Sequence, residues 1–195
     1  MHKINKNMRE HVSVCVFCSS SNHISDIYKD AAVKLGGEMS RRGFDLVYGG
    51  GNNGLMGVLS QEVHESGGKI IGVIPRKLHD MGFGYKNVDE MIVTEDMRVR
   101  KTVMEERADA FIGMAGGFGT LEEILELITL KQLEMHHKPI VLLNTGNFFS
   151  GLLEQFEKSY TEKFVGEKYR KLYHVTVSVS DALDCIIASR KKRIN

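Results

Sequence analysis

The stretch GMAGGFGTLEE, residues 113–123, decides how this chain is read. An apolar run, Ala110 to Met114, leads into it, and an amphipathic run, Leu121 to Met135, leads out. Strand, glycine turn and helix in that order make one β-α unit, and the turn is where such units hold anions. Gly116, Gly117 and Gly119 can take φ > 0, which lets successive backbone N–H groups turn toward one point. Thr120 adds a hydroxyl, and the helix expected from Leu121 adds its positive end. The stretch therefore reads as a phosphate site, though not a Walker A loop, which would end in G-K-[ST]. A purely structural reading stays open beside it. Thr120-Leu121-Glu122-Glu123 is T-x-x-E, the spacing of a capping box, in which Glu123 would only bond the helix start.

Outward from this unit the same pattern repeats. Further strands are expected at Val12 to Phe17, Phe44 to Tyr48, Lys69 to Ile74 (stopped by Pro75), Glu90 to Thr94, Pro139 to Leu143 and Val175 to Val179. Helices are expected at Asp26 to Arg42, Leu55 to Ser66, Asp96 to Arg107, Phe148 to Phe164 and Asp181 to Arg190, with 76–88 as a loop. Ile27, Ala31, Leu35 and Met39 recur at helical spacing, and Gly43 ends that run. IIGVI and IVLL are apolar throughout, as strands are when both faces of a parallel sheet are covered. The expectation is one α/β domain over residues 1–195 with its core at about 12–188. Its architecture is a Rossmann-like, doubly wound parallel sheet of about seven strands with helices on both faces. Ligands of such sheets sit at the C-terminal ends of the strands, where both glycine-rich loops of this chain fall.

Composition narrows the function classes. A chain of 195 residues suits one domain with a sizeable core, and 42% apolar with 26% charged residues is ordinary for a globular protein. A formal net charge of +1 makes no electrostatic case for nucleic acid, and the basic run Arg190 to Arg193 reads as a solvated terminus. No apolar run approaches the roughly 20 residues that span a bilayer. The first residues, MHKINKNMREH, lack the apolar segment of a secretory signal, so a cytoplasmic location is expected. Three cysteines, an odd count, argue against a disulfide framework. Cys15 and Cys18 form C-x-x-C, but within the apolar strand VSVCVF rather than at a helix start, and no second ligand pair completes a zinc site. They read as buried, inert thiols.

Two more clusters carry chemistry. Residues 49–54, GGGNNG, match G-x-G-x-x-G between a strand and a helix. A dinucleotide site also needs an acidic residue at the end of the next strand, and that strand ends Val73-Ile74-Pro75-Arg76. A tight turn with close backbone packing is the plainer reading. Asp96-Met97-Arg98-Val99-Arg100-Lys101 puts three cations in the first turns of a helix, where the helix dipole disfavours them. Met97, Arg100 and Lys101 share one helix face; a solvated face with Lys101 paired to Glu105 is the structural alternative.

Together these clusters resemble the LOG ("Lonely guy") family of cytokinin riboside 5′-monophosphate phosphoribohydrolases, many of which carry the label lysine decarboxylase. The family's P-G-G-x-G-T-x-x-E stands here as Ala115 to Glu123, its arginine-lysine helix motif as Met97 to Lys101, and its Y-G-G-G-x-x-G-L-M-G as Tyr48 to Gly57. Its F-C-G-S-S is similar to Phe17 to Ser21. Ala115 replaces a proline and Ser19 a glycine, departures that bear on loop rigidity and on room for a nucleotide. The resemblance implies hydrolysis of the N-glycosidic bond of a purine nucleoside 5′-monophosphate, with a base of the adenine or cytokinin type, to free base and ribose 5-phosphate. It implies Arg100 and Glu123 as the catalytic pair. Substrate contacts would come from Met97, Lys101, Gly116, Gly117, Gly119, Thr120, Ser20, Gly50 and Gly51. It further implies a homodimer; no metal-ligand set or cofactor motif is visible in the sequence, and neither nucleic acid nor membrane is expected as a partner. A pyridoxal-dependent decarboxylase would need a cofactor lysine and its own binding domain, and neither is visible. The alternative is a nucleotide- or cofactor-binding carrier protein of the same fold without catalysis.

Overall fold

Strands that are apolar at every position are stable only where both faces are covered, and the sheet is built that way. The computed structural model describes residues 12–194, with side chains as far as residue 190. The readings of residues 1–11 and of the side chains of Lys191 to Arg193 lie outside the described residues. The strands are β1 (Val12–Phe17), β2 (Phe44–Tyr48), β3 (Ile70–Pro75), β4 (Glu90–Thr94), β5 (Ala110–Gly113), β6 (Ile140–Leu143) and β7 (His174–Thr176). They form one sheet in the order β4-β3-β2-β1-β5-β6-β7. Every pairing is parallel, for example Val14↔Leu46 between β1 and β2 and Val16↔Ile112 between β1 and β5.

The helices are α1 (Asp26–Arg42), α2 (Gly54–Glu65), α3 (Arg76–Asp80), α4 (Met97–Arg107), α5 (Phe118–Gln132), α6 (Ser150–Thr161) and α7 (Val179–Ile194). Alternation along β1 sends Val14 and Val16 to one face and Cys15 and Phe17 to the other. The first face packs on α1, α2 and α7 through Leu35, Met39, Leu59 and Leu183; the second packs on α4, α5 and α6 through Met104, Ile124, Leu127 and Leu152. Each fully buried aliphatic side chain contributes about 1.5–3 kcal/mol relative to exposure.

Chain order runs outward in both directions from β1 and β5, which makes their C-terminal ends the switch point of the sheet. Three bonds knit this point together. Met114 N–H donates to Phe17 O at 2.9 Å, Ser19 N–H to Ala115 O at 3.1 Å, and Leu55 N–H to Ser19 O at 2.9 Å. At the other end of these strands, Ser13 N–H donates to Asp109 Oδ2 at 3.0 Å and Asp109 N–H donates to Ser13 O at 2.7 Å.

Most expected elements stand where the pattern put them, and the departures have physical reasons. Pro75 is the last residue of β3, in register with Thr94, rather than a stop before it; a missing N–H is tolerated at a strand end. The expected loop 76–88 contains α3, five residues with one apolar side chain, too short to show a period. The strand expected over Val175 to Val179 is the shorter β7, His174–Thr176, which starts one residue earlier and ends three earlier, because Val179 already opens α7. The helix expected over Phe148 to Phe164 is the shorter α6, with a 3₁₀ turn at Thr145–Asn147 before it.

The most consequential shift is α5, which starts at Phe118 and not at Leu121, with Gly117 as its N-cap residue. Its first turn faces the open end of the sheet, and Phe118 is 94% exposed, so the apolar period begins only one turn later. Thr120 is therefore inside the helix, and the capping box does not form.

The far end of α5 is fixed by His136, whose Nε2 donates to Leu127 O at 2.9 Å while Nδ1 accepts Lys138 N–H at 3.2 Å. The buried ring also meets Phe111 edge-on at 5.6 Å. Burial holds the imidazole below its ordinary value of 6.5, so the folded state keeps it neutral while the unfolded chain takes up a proton. Its contribution is present above pH 6.5 and is lost as pH falls through the lower folded value. Melting temperature should fall as pH drops below the ordinary value of 6.5, with a shallower slope in His136→Gln; identical slopes would contradict this assignment.

Ala115, where the family motif has proline, donates its N–H to no group among the described residues. Ala115→Pro should therefore leave every hydrogen bond in place and raise stability by roughly 0.4–1 kcal/mol through the unfolded chain. A fall in melting temperature would show that this backbone does not accept a proline.

Candidate active site

A cavity of about 690 Å³ opens at the switch point. Its floor is the end of β1, and its walls are the 49–54 loop, α3 with the segment after it, and the starts of α4 and α5. The segment after α3 is held by the glycine loop. Gly51 and Gly84 form an isolated antiparallel bridge, Asn52 N–H donates to Phe83 O at 3.1 Å, and Tyr85 N–H to Gly50 O at 2.9 Å. This pairing carries Phe83 to the cavity wall, which Met97 and Phe118 also line.

The two glycine-rich loops both lead into helices, and the helix starts differ in one respect. At α2 the chain fills the donors itself. Gly54 N–H donates to Asn22 Oδ1 at 2.7 Å, and the Leu55 and Met56 N–H groups both donate to Ser19 O, at 2.9 and 3.3 Å. A Cβ on Gly54 would lie 2.6 Å from backbone atoms of Ser20 and Ser21, so nothing further fits there. At α5 the first internal bond is Leu121 N–H to Gly117 O at 3.1 Å. Among the described residues no group accepts from the N–H groups of Phe118, Gly119 and Thr120. Gly117 and Gly119 have open space where a Cβ would stand, and all four residues line the cavity. Unfilled N–H donors at the positive end of a helix are what an anion binds. The α5 loop has this property and the G-x-G-x-x-G loop does not.

Beside this helix start lies a buried ion pair. Arg100 projects from α4 and Glu123 from α5, Arg100 Nη1 donates to Glu123 Oε1 at 2.6 Å, and each side chain is only 9% exposed. Arg100 Nε donates to Val73 O at 3.0 Å, which fixes the guanidinium to β3 as well. Burial raises the carboxyl of Glu123 above its ordinary value, and the charge and hydrogen bond of Arg100 oppose that rise. Asp96 caps α4, its Oδ1 accepting from Arg98 and Val99 N–H at 2.7 and 2.9 Å, and so offsets the cations of the first turn.

Several expected contacts fall elsewhere. Met97, Gly117, Gly119, Thr120, Ser20 and Gly51 line the cavity with Arg100 and Glu123. Lys101 does not. Its ammonium pairs with Glu122 and, at 2.9 Å, with Glu126, not with Glu105. Gly50 lies against β3, where a Cβ would sit 3.1 Å from Ile74 Cβ, and Gly116 is covered by Thr120, whose Oγ1 would be 2.1 Å away. Ser19 lines the cavity, but its hydroxyl accepts Ser21 N–H at 3.0 Å and is turned back on its own chain. Cys15 and Cys18 are free, buried thiols, and burial pushes both well above the ordinary thiol value, so neither is a thiolate at neutral pH. Sequence reasoning missed Val73 O as a partner of Arg100 and Phe83 and Leu78 as wall residues. A backbone acceptor and single apolar residues in an irregular segment leave no pattern to read. Among the described residues no helix is long and apolar enough to cross a membrane, and no three His, Cys, Asp or Glu side chains cluster as a metal site.

Residues 56–186 match a protein family described as "Possible lysine decarboxylase". A cytokinin riboside 5′-monophosphate phosphoribohydrolase of Arabidopsis thaliana is 45% identical over 159 residues, 82% of this chain and 74% of that protein. Another from that plant, named as a probable enzyme of this kind, is 45% identical over 175 residues, 90% of this chain and 86% of that protein. Among solved structures, a molybdenum cofactor carrier protein from Chlamydomonas reinhardtii superposes with a TM-score of 0.71 at 23% identity, over 94% of this chain and 99% of that one. This likeness concerns the fold alone. Identity of this extent over most of the length places the chain in the LOG family, the cytokinin riboside 5′-monophosphate phosphoribohydrolases.

Proposed function

We propose that the chain is a nucleoside 5′-monophosphate phosphoribohydrolase that releases a purine base, adenine or an N6-substituted adenine of the cytokinin type, from its ribose 5-phosphate. The observation that carries the reading is the juxtaposition of unfilled N–H donors at the start of α5 with the buried Arg100–Glu123 pair one turn further along. The 5′-phosphate would sit on the N–H groups of Phe118, Gly119 and Thr120, with Thr120 supplying its hydroxyl and Gly117 and Gly119 allowing close approach. This anchors the ribose next to Glu123. The apolar wall of Met97, Leu78 and Phe83 would face the base, with Ser20 and Gly51 on the remaining sides.

The reaction breaks the bond between ribose C1′ and the base nitrogen. The bonding pair leaves with the base, which takes up a proton, and the oxygen of water bonds to C1′. The transition state resembles an oxocarbenium ion, so the ionised carboxylate of Glu123 stabilises the developing positive charge and accepts a proton from the attacking water. Arg100 holds that carboxylate in place and opposes the rise in proton affinity that burial imposes. A homodimer in the cytoplasm acting without metal or cofactor completes the reading. A non-catalytic carrier of the same fold would bind the nucleotide and release no base.

A phosphate anchor predicts that AMP is cleaved far faster than adenosine, by on the order of 10²-fold or more if the anchor positions the sugar. Equal rates would remove the anchor from the account, and binding without base release would make the protein a carrier. Glu123→Gln keeps an acceptor for Arg100 but cannot take a proton, so it should fold, bind AMP and lose on the order of 10²-fold or more in kcat. Glu122→Gln, directed to Lys101 outside the cavity, should be much milder. The parent rate should rise with pH through a value above the ordinary 4.5 of a glutamate, because the ionised form is the active one and burial raises the folded value. Near-parental activity in Glu123→Gln would exclude this chemistry.

A further inference from the structure

The glycine loop 49–54 has the spacing of a dinucleotide fingerprint, yet the N–H groups of Gly54, Leu55 and Met56 at the helix start that follows it already donate to Asn22 Oδ1 and Ser19 O, and are not free for an anion. Its first glycine has another property. A Cβ on Gly49 would lie 2.2 Å from Arg100 Nη2 and 2.9 Å from Met56 Sδ. The guanidinium thus brings its Nη2 edge up against bare backbone. Nε is fixed to Val73 O, Nη1 to Glu123, and the Nη2 edge rests where any other residue would carry its side chain. Gly50, with φ of 72°, lets the loop lie close over Ile74 next to Val73, so the carbonyl that holds Arg100 and the glycine that makes room for it are in one packed unit.

We propose that Gly49 is a positioning residue: the absence of its side chain creates the berth that holds the Arg100 guanidinium in line with Glu123. The loop serves the reaction through the arginine and not by cradling phosphate. The inference rests on the proposed hydrolase reading for its catalytic consequence, while the Gly49–Arg100 contact itself is independent of that reading. The clashing atoms on both sides are the far ends of flexible side chains, so a methyl group at 49 displaces the arginine and the methionine rather than the sheet. A displacement of about 1 Å in a positioned group costs on the order of 10²-fold in rate.

The test is a double-mutant cycle of Gly49→Ala with Arg100→Lys, in which the lysine retains a charge and lacks the Nη2 atom. Gly49→Ala alone should lower kcat for AMP by on the order of 10²-fold with KM changed only a few fold, since the methyl acts on the arginine and not on the phosphate anchor. In the Arg100→Lys background the same substitution should cause little further loss, and melting curves should show the same coupling whether or not the protein is active. A parent that releases no base while the melting cycle still couples the two positions would sink the hydrolase reading and leave the berth standing. Equal effects of Gly49→Ala in both backgrounds, or a loss confined to KM, would overturn the berth and mean that the methyl simply obstructs the cavity. If Gly49→Ala fails to fold, recovery of folding by Arg100→Lys supports the proposal, and failure in both backgrounds overturns it.

Discussion

The buried ion pair between Arg100 and Glu123 constrains everything around the cavity. A carboxylate and a guanidinium removed from water are tolerated only when paired and hydrogen-bonded, and removing one partner of such a pair typically costs about 3–5 kcal/mol. The fold meets that condition with three elements at once: α4 supplies the arginine, α5 the glutamate, and β3 the carbonyl of Val73. Fixing the arginine from two sides also fixes where α4 and α5 begin, and their beginnings are the walls of the cavity. The burial that makes the pair costly also raises the glutamate's proton affinity, which suits the proton exchange proposed for it.

The contrast between the two glycine loops shows why a motif has to be judged by where its donors go. Both loops follow a parallel strand and precede a helix at the same edge of the sheet. One helix start is filled by the chain's own carbonyl and amide oxygens, and the other is not. The filled start belongs to the better-known fingerprint. Its glycines serve close packing, against Arg100, β3 and the segment that brings Phe83 to the cavity. The chain shares its fold with molybdenum cofactor carrier proteins at 23% identity, so architecture alone does not separate binding from catalysis. In the proposed reading the separation rests on the Glu123 carboxylate, held beside the unfilled N–H groups at the start of α5.

Much of the fold was legible because its strands are apolar on both faces and its helices have clear periods. α1 and β2 stand at Asp26–Arg42 and Phe44–Tyr48, with Gly43 at φ of 75° between them as the pattern required. What was not legible has a common cause. α3 is too short to show a period, and the first turn of α5 holds an exposed Phe118, a glycine and a buried but polar Thr120, so neither carries the apolar signal that marks a helix. The second of these misplaced the helix start and kept a capping role for Glu123 open. At the site, Arg100 and Glu123 were found as residue types at motif spacing, whereas the outward turn of Lys101 toward Glu122 and Glu126 is a tertiary fact that helix-face geometry cannot settle. The partner of Arg100 on β3 is a main-chain atom and has no sequence signature at all.

The central claim is that the start of α5 holds the phosphate of a nucleotide and thereby delivers C1′ of its ribose to Glu123. A crystal structure of the Glu123→Gln protein with AMP bound tests this directly, because the substitution keeps the Arg100 partner while slowing turnover. The expected result has the phosphate oxygens within hydrogen-bond distance of the N–H groups of Phe118, Gly119 and Thr120, and C1′ facing the residue-123 side chain. Phosphate bound at the 49–54 loop, or a ribose turned away from position 123, would contradict the account.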